Sequence, residues 1–580
     1  MTAKFLRILF LLLLAIAVWM GWQMAHLPLW GYHPLSLLLC GWLAIMILFR
    51  LRQAGDAVKF SYWKLSSIAG VLLGIGFPPY PLAPLYFVAF IPLFLLVEHI
   101  IAQNPKGAGR RSFLYLYHAF VLWNIIATFW VANTALVGGM FAIFLNSFFM
   151  TIPWLLWIQI RKKSASLWVY CLLPVAWIAF EYGHMQWELS WPWLTLGNAW
   201  AALPSWIQWY EYTGVFGGSL WIWALNLILL PLFRQKERLR LARNWIAPGL
   251  VFALPLAISL LMYSQQKDLG TPVEFAVVQP NYEPFYQKFS TPPELQLQHF
   301  LELSREVLTP QTDFLVLPET SFEQVRLDEF DINPAVFAYR QLLANYPNCA
   351  LVTGIDAVTV YDTFPSNASN VRTQIQGRDT IFWAATNAAA CIDTSDQHQI
   401  YRKSRLVPGA EIFPYNGLLS FLDPIVKKLG GSIYGLQMQA ERSVFASHGH
   451  KVAPVICYES IYGGYVTSYV KAGAQAICIM TNDGWWDLTP GHLQHLQIGR
   501  LRAIETRKSI IRAANTGVSC FINQRGDIED PTEYEQTAVL RKTVLLNDIQ
   551  TFYTRFGDWI AFICIGLLVF FPLGMIRKKG

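Results

Sequence analysis

Pro454-Val455-Ile456-Cys457-Tyr458-Glu459-Ser460 is the stretch on which the reading of this chain turns. Val452 to Ile456 is a short apolar run and predicts a buried strand. The run stops at a cysteine, where the chain leaves the sheet. A thiol at such a point is placed to act as a nucleophile. A lone cysteine is more often a small core residue, so the weight of Cys457 depends on what other strand ends supply.

Two supply complementary groups. The predicted strand Phe314 to Leu317 runs into Pro318-Glu319-Thr320-Ser321, a carboxylate just past a strand end. Tyr401-Arg402-Lys403-Ser404-Arg405-Leu406-Val407-Pro408-Gly409-Ala410-Glu411 carries a lysine among other basic residues. Taken singly, these read as a loop acid and a surface charge run. Together they offer a base, a cation and a thiol, a set suited to acyl transfer at the sheet edge where open α/β folds gather their sites. Strand-like runs at 273–278, 314–317 and 350–354 alternate with helical patterns near 293–308 and 334–345, and the alternation continues to about 548. It predicts a layered α/β domain over 265–557, large enough to bury its own core.

The rest of the chain is of another kind. It is 54% hydrophobic and 14% charged, with a mean hydropathy of +0.35. Soluble proteins carry about 25% charged residues, so part of this chain must sit in lipid. Apolar runs at 8–33, 34–49, 65–78, 84–97, 113–132, 137–160, 167–180, 214–233, 245–263 and 559–576 predict ten spans. The first reads as an anchor, and 65–78 is short enough to be re-entrant. With the N-terminus in the cytoplasm, Lys and Arg fall in every cytoplasmic segment, for example Arg161-Lys162-Lys163. The connections near 25–33, 79–83, 133–136 and 182–213 contain neither. This is the positive-inside pattern. It explains the net charge of +7 without nucleic acid and puts 265–557 outside the cytoplasm. The 182–213 connection holds six tryptophans, among them Trp193. They read mainly as an interfacial belt, or as a surface where a lipid chain enters. The eight cysteines show neither CxxC pairing nor zinc-ligand spacing, so no metal site and no disulfide framework is expected.

The motifs LPETS (317–321), YRKSRLVPGAE (401–411), ICYES (456–460), TNDGWW (481–486) and RAANTG (512–517), with the stretch from His492 to Glu505, resemble the nitrilase superfamily. Held between membrane spans, and with Trp191-Pro192-Trp193-Leu194 in the membrane part, the chain is similar to that superfamily's apolipoprotein N-acyltransferase branch from about 60 to about 575. The resemblance implies an α-helical polytopic membrane domain plus an αββα sandwich. The expected division is 1–264 with about nine spans, of which 1–60 is a two-span extension, then 265–557 catalytic and 558–580 a final span. By resemblance Cys457 is the nucleophile, Glu319 the base, Lys403 the oxyanion stabiliser and Glu411 the second glutamate. Tyr458, Glu459, Phe289 and Trp193 are implied as supporting or substrate-binding residues. Phe289 stands where the family tends to carry tryptophan, and Gly409-Ala410-Glu411 where Phe-Gly-Glu is common.

The implied reaction passes an acyl chain from a phospholipid through a Cys457 thioester to the α-amine of a diacylated apolipoprotein, with ping-pong kinetics and no cofactor. The expected setting is the inner membrane with the catalytic domain periplasmic, membrane lipid as surroundings and a monomeric chain. Two rivals share features: a membrane-tethered amidase using water as acceptor, and a transporter with an external binding domain. The transporter predicts polar groups within the spans, where the chain offers chiefly His118 and Asn124.

Overall fold

The apolar runs form helices. In the computed structural model, which describes residues 3–52, 56–288, 290–365, 370–376, 379–395, 397–419, 421 and 434–577, helical segments occupy all ten expected positions. Six helices are long and apolar enough to cross a membrane: Ala3–His26, His33–Arg52, Ala83–Gln103, Leu136–Arg161, Val215–Arg234 and Ala242–Gln265. The stretch expected at 65–78 belongs to a continuous 19-residue helix, Ala57–Ile75. It packs on Ala108–Thr128 through glycines: a Cβ at Gly70 would lie 2.5 Å from the Ala119 carbonyl oxygen, and one at Gly74 would lie 2.6 Å from Ile126 Cβ. Small residues at this spacing let two helices approach closely in an apolar medium.

Beyond Thr271 the chain builds two sheets. The strands are β1 (Thr271–Gln279), β2 (Phe314–Val316), β3 (Phe322–Arg326), β4 (Ala350–Tyr361), β5 (Arg372–Gln376), β6 (Asp379–Ile392) and β7 (His398–Arg402), then β8 (Phe445–Ser447), β9 (His450–Ile456), β10 (Ala476–Thr481), β11 (Ser509–Ala514), β12 (Cys520–Ile522), β13 (Ile528–Glu529) and β14 (Ala538–Leu546). The first sheet runs β14-β1-β2-β4-β6-β5, with β3 beside β4 and β7 beside β6. The second runs β13-β12-β11-β10-β9-β8. Their centres, β1-β2-β4 and β9-β10-β11, are parallel.

Side-chain alternation divides the core. Val273, Phe275 and Val277 face the second sheet. Ala276, Val278 and Leu315 face helices Pro293–Val307 and Pro334–Leu343. Helices Gly463–Lys471 and Pro490–Thr506 pack against the second sheet, completing an αββα sandwich.

The membrane helices have two distinct ends. At one, Arg161 Nε donates to Glu98 Oε1 (2.7 Å) and Arg234 Nη2 to Tyr170 Oη (2.7 Å). At the other, every connection free of Lys and Arg touches the sandwich. Gly31 N donates to Asp487 Oδ2 (2.7 Å), and Gln494 Nε2 donates to the Pro78 carbonyl (2.7 Å). Asn133 Nδ2 donates to the carbonyls of Gly31 and Trp486 (both 3.1 Å), and Tyr458 Oη donates to that of Ser190 (2.9 Å). The turn of the N-terminal extension is therefore docked on the 485–487 loop. Asp487→Ala removes one charge-assisted bond, worth about 1.5–3 kcal/mol. Amide exchange at Gly31 is expected to accelerate by about tenfold or more, read by hydrogen–deuterium exchange. Unchanged protection would mean that the turn is held by packing alone.

Two of the six 182–213 tryptophans are enclosed by protein and so cannot belong to an interfacial belt. Trp193 and Trp200 are fully buried, and the others are half-buried. Their rings stack on one another and on the sandwich because this connection folds between the two parts of the chain. Glu181, beside this connection, is also buried and accepts from Trp177 Nε1, Leu196 N and Ser219 Oγ at 2.7–2.9 Å.

Candidate active site

Three strand ends meet. Glu319 follows β2, Lys403 follows β7 and Cys457 follows β9. All three are buried. Lys403 Nζ donates to Glu319 Oε1 (3.1 Å) and to Glu411 Oε1 (2.8 Å). Burial alone would lower the lysine pKa, but the Glu319 and Glu411 carboxylates outweigh it and hold the ammonium well above the ordinary lysine range. Glu411 Oε2 also accepts from Val407 N (2.8 Å), which ties the 407–411 turn to the site.

Cys457 sits at a forced bend. Its φ of +46° lies in the left-handed region, which costs energy for a residue with a Cβ. The strand thereby turns directly into a short 3₁₀ turn, Cys457–Ile461. Burial pushes the Cys457 thiol well up from its ordinary pKa, and the Glu319 charge adds to this. Lys403 acts the other way and does not overcome them. The resting group is therefore a thiol, and its proton must be taken by a base.

Glu459 is an internal hub. Its Oε1 accepts from Ser404 N (2.8 Å), Tyr401 Oη (2.7 Å) and Tyr465 Oη (2.6 Å), and its Oε2 from Ile456 N (2.9 Å). One buried carboxylate thus binds the residue after Lys403 and the residue before Cys457. Glu459→Ala would strand these donors in the interior, at a cost of about 3–5 kcal/mol. A drop in the thermal unfolding midpoint together with lost activity is expected. A variant of unchanged midpoint would show that the hub is dispensable.

Behind the nucleophile, His495 Nδ1 donates to Asp483 Oδ1 (2.8 Å), and His495 Nε2 lies 3.1 Å from the Cys457 carbonyl oxygen. Burial opposes the Asp483 charge, but Arg512 and His495 hold its carboxyl far below the usual range. Trp193 stacks on the His495 ring, with centroids 5.9 Å apart, and donates to Gln494 Oε1 (2.8 Å). His495 thus belongs to the scaffold. Among the described residues no group of three His, Cys, Asp or Glu could hold a metal ion.

The supporting residues scatter more. Tyr458 points to the membrane part, its hydroxyl on the Ser190 carbonyl. Phe289 lies outside the described residues, as do 420 and 422–433. Tyr415, Leu418 and Phe421, in the segment after Glu411, are exposed. Sequence reasoning missed Asn387, whose Nδ2 donates to both Glu319 Oε1 (2.7 Å) and Glu411 Oε1 (2.9 Å). Its one signal was an amide set in the apolar run Ala384 to Ile392.

Comparison with known proteins agrees with both halves of the chain. Residues 69–228 match the apolipoprotein N-acyltransferase N-terminal domain, and residues 275–553 match the carbon-nitrogen hydrolase domain. The chain is 32% identical to the apolipoprotein N-acyltransferase of Chlorobaculum tepidum, over 89% of this chain and 97% of the relative. It is 27% identical to that of Geobacter metallireducens, over 90% and 97% respectively. It is 26% identical to that of Shewanella oneidensis, over 89% and 95%. With the two domains in this order and the likeness running almost end to end, the chain belongs to the apolipoprotein N-acyltransferase family.

Proposed function

We propose that this member of the family transfers an acyl chain from a phospholipid to the α-amine of a diacylglyceryl-cysteine apolipoprotein, through a thioester on Cys457. The observation that carries the reading is the meeting of a buried thiol, carboxylate and ammonium at three strand ends.

In the first half, Glu319 takes the Cys457 proton as sulfur attacks the ester carbonyl. Lys403 faces the developing oxyanion, helped by backbone N–H groups. The C–O bond of the ester breaks, Glu319 returns the proton to the leaving alkoxide, and a lysophospholipid departs. In the second half the lipoprotein amine attacks the thioester, and its proton passes by Glu319 to the leaving sulfur. An amide forms and the thiol is restored.

Domain limits of 1–264, 265–557 and 558–580, and a sandwich on the periplasmic face of the inner membrane, complete the proposal. The end of the membrane helices that meets the sandwich carries no Lys or Arg in its connections, which supports that orientation. Tethering at both ends keeps the site close to two membrane-anchored substrates.

The test is incubation of the full chain with labelled phospholipid, with and without a diacylated lipopeptide, followed by mass spectrometry. An acyl mass on Cys457 that moves to the lipopeptide amine is expected. Free fatty acid without acylated peptide would favour the amidase instead.

A further inference from the structure

One buried cation at the site takes no part in the steps above. Lys288 is 3% exposed. Its Nζ donates to the Glu319 carbonyl oxygen (3.3 Å) and to Thr320 Oγ1. We infer that Lys288 is a positioning residue for Glu319, clamping the aromatic segment 282–288 onto the turn that carries the base. The inference rests on Glu319 acting as that base.

The turn is gripped from two sides. On one, Gly354 lies so close that a Cβ there would meet Glu319 Cα at 2.6 Å. Gly354 N donates to the Pro318 carbonyl (3.1 Å), and Ser321 N donates to that of Gly354 (2.8 Å). On the other side the ammonium is the grip. Thr320 has a φ of +52°, so the turn is bent away from its easy conformations. Holding the Glu319 carbonyl fixes the peptide plane from which the carboxylate projects. That carboxylate has to meet Asn387 Nδ2 at 2.7 Å and Lys403 Nζ at 3.1 Å in the same pose.

The lysine is itself anchored. Its N–H donates to the Glu283 carbonyl (3.0 Å), and its own carbonyl accepts from Gln296 Nε2 (2.7 Å). The same segment carries Tyr282, which is tied to Asn515, and Phe285, whose ring meets Trp485 edge-on at 5.3 Å. Burial drives the lysine pKa down to about 8 against the opposing charges of Glu323, Glu319 and Asp356. Burying an ammonium is costly, and an apolar side chain of equal length would fill the space at less cost. What the ammonium adds is direction, since both acceptors of its hydrogen bonds lie in the base's own turn.

The test uses the full chain in phospholipid–detergent micelles with a diacylated lipopeptide. A displacement of about 1 Å at a catalytic group costs roughly 100-fold in rate. Lys288→Met is therefore expected to lower kcat by about 30- to 100-fold, with KM for the lipopeptide within about twofold. Lys288→Arg should recover part of the loss. Thr320→Val, which removes one recipient of the clamp, should lower kcat by a smaller factor and add nothing in the Lys288→Met background.

A Lys288→Met enzyme with wild-type kcat would overturn the inference, as would losses that multiply in the double variant. Should Lys288→Met fail to fold, Thr320→Val decides: an unchanged kcat overturns the clamp and a lowered one supports it. Glu319→Gln is the control. If it is inactive while Lys288→Met is normal, only the clamp is lost; if it is active, the base assignment itself fails.

Discussion

Cys457→Ser is expected to lower acyl transfer by at least about 10⁴-fold, the scale seen when a covalent nucleophile is lost. The acyl adduct at position 457 should vanish with it. Serine keeps the bend and the volume but presents a far weaker nucleophile in a site built around a buried thiol. The cysteine on the neighbouring strand is no substitute. Cys478, one strand away in β10, lies fully inside the sandwich, and burial likewise raises its pKa. Quantitative mass spectrometry of lipopeptide acylation measures the loss. Residual activity within about tenfold of wild type would be incompatible with a thioester route.

The second large effect concerns the cation. Lys403→Met leaves the Glu319 and Glu411 carboxylates buried without the ammonium now 3.1 Å and 2.8 Å from them. Breaking such a buried pair costs about 3–5 kcal/mol of stability. Losing an oxyanion partner costs about 10²–10³-fold in kcat. The pH dependence has a definite sign. The folded-state pKa of Lys403 is raised, so its stabilising contribution is complete below the unfolded lysine value of about 10.4 and is lost only as pH rises through the higher folded value. The gap in denaturation midpoint between wild type and Lys403→Met should therefore be flat from about pH 7 to 9. A gap that closes within that range would show that the lysine is not held by the two carboxylates.

Much of this was legible before any coordinates. The ten apolar runs became helices because an apolar segment in lipid must satisfy its backbone hydrogen bonds internally, and six of the resulting helices are long enough to span. The strand ends after β2, β7 and β9 were readable from runs such as Val452 to Ile456. Glu319, Lys403 and Cys457 stood out through motifs that resemble one family. Other features left no local trace. Glu459 looks in sequence like a residue that merely follows a nucleophile, yet it joins two strand ends, accepting from Ile456 N nearby and from Ser404 N 55 residues away. Lys288 lies in an unremarkable loop until Glu319 is brought against it.

Local pattern alone was enough to place the apolar helices and many of the strands, because hydrophobic periodicity is a property of neighbouring residues; the three candidate side chains were picked out by strand-end position together with motifs that resemble one family. Which groups support those three was settled only by tertiary packing. Asn387 between two glutamates, the buried tryptophans of 182–213 and the docking of Gly31 on Asp487 all depend on residues dozens to hundreds of positions apart. Such contacts arise from strand register and from the seating of the sandwich on the helices, and no short stretch of chain encodes either.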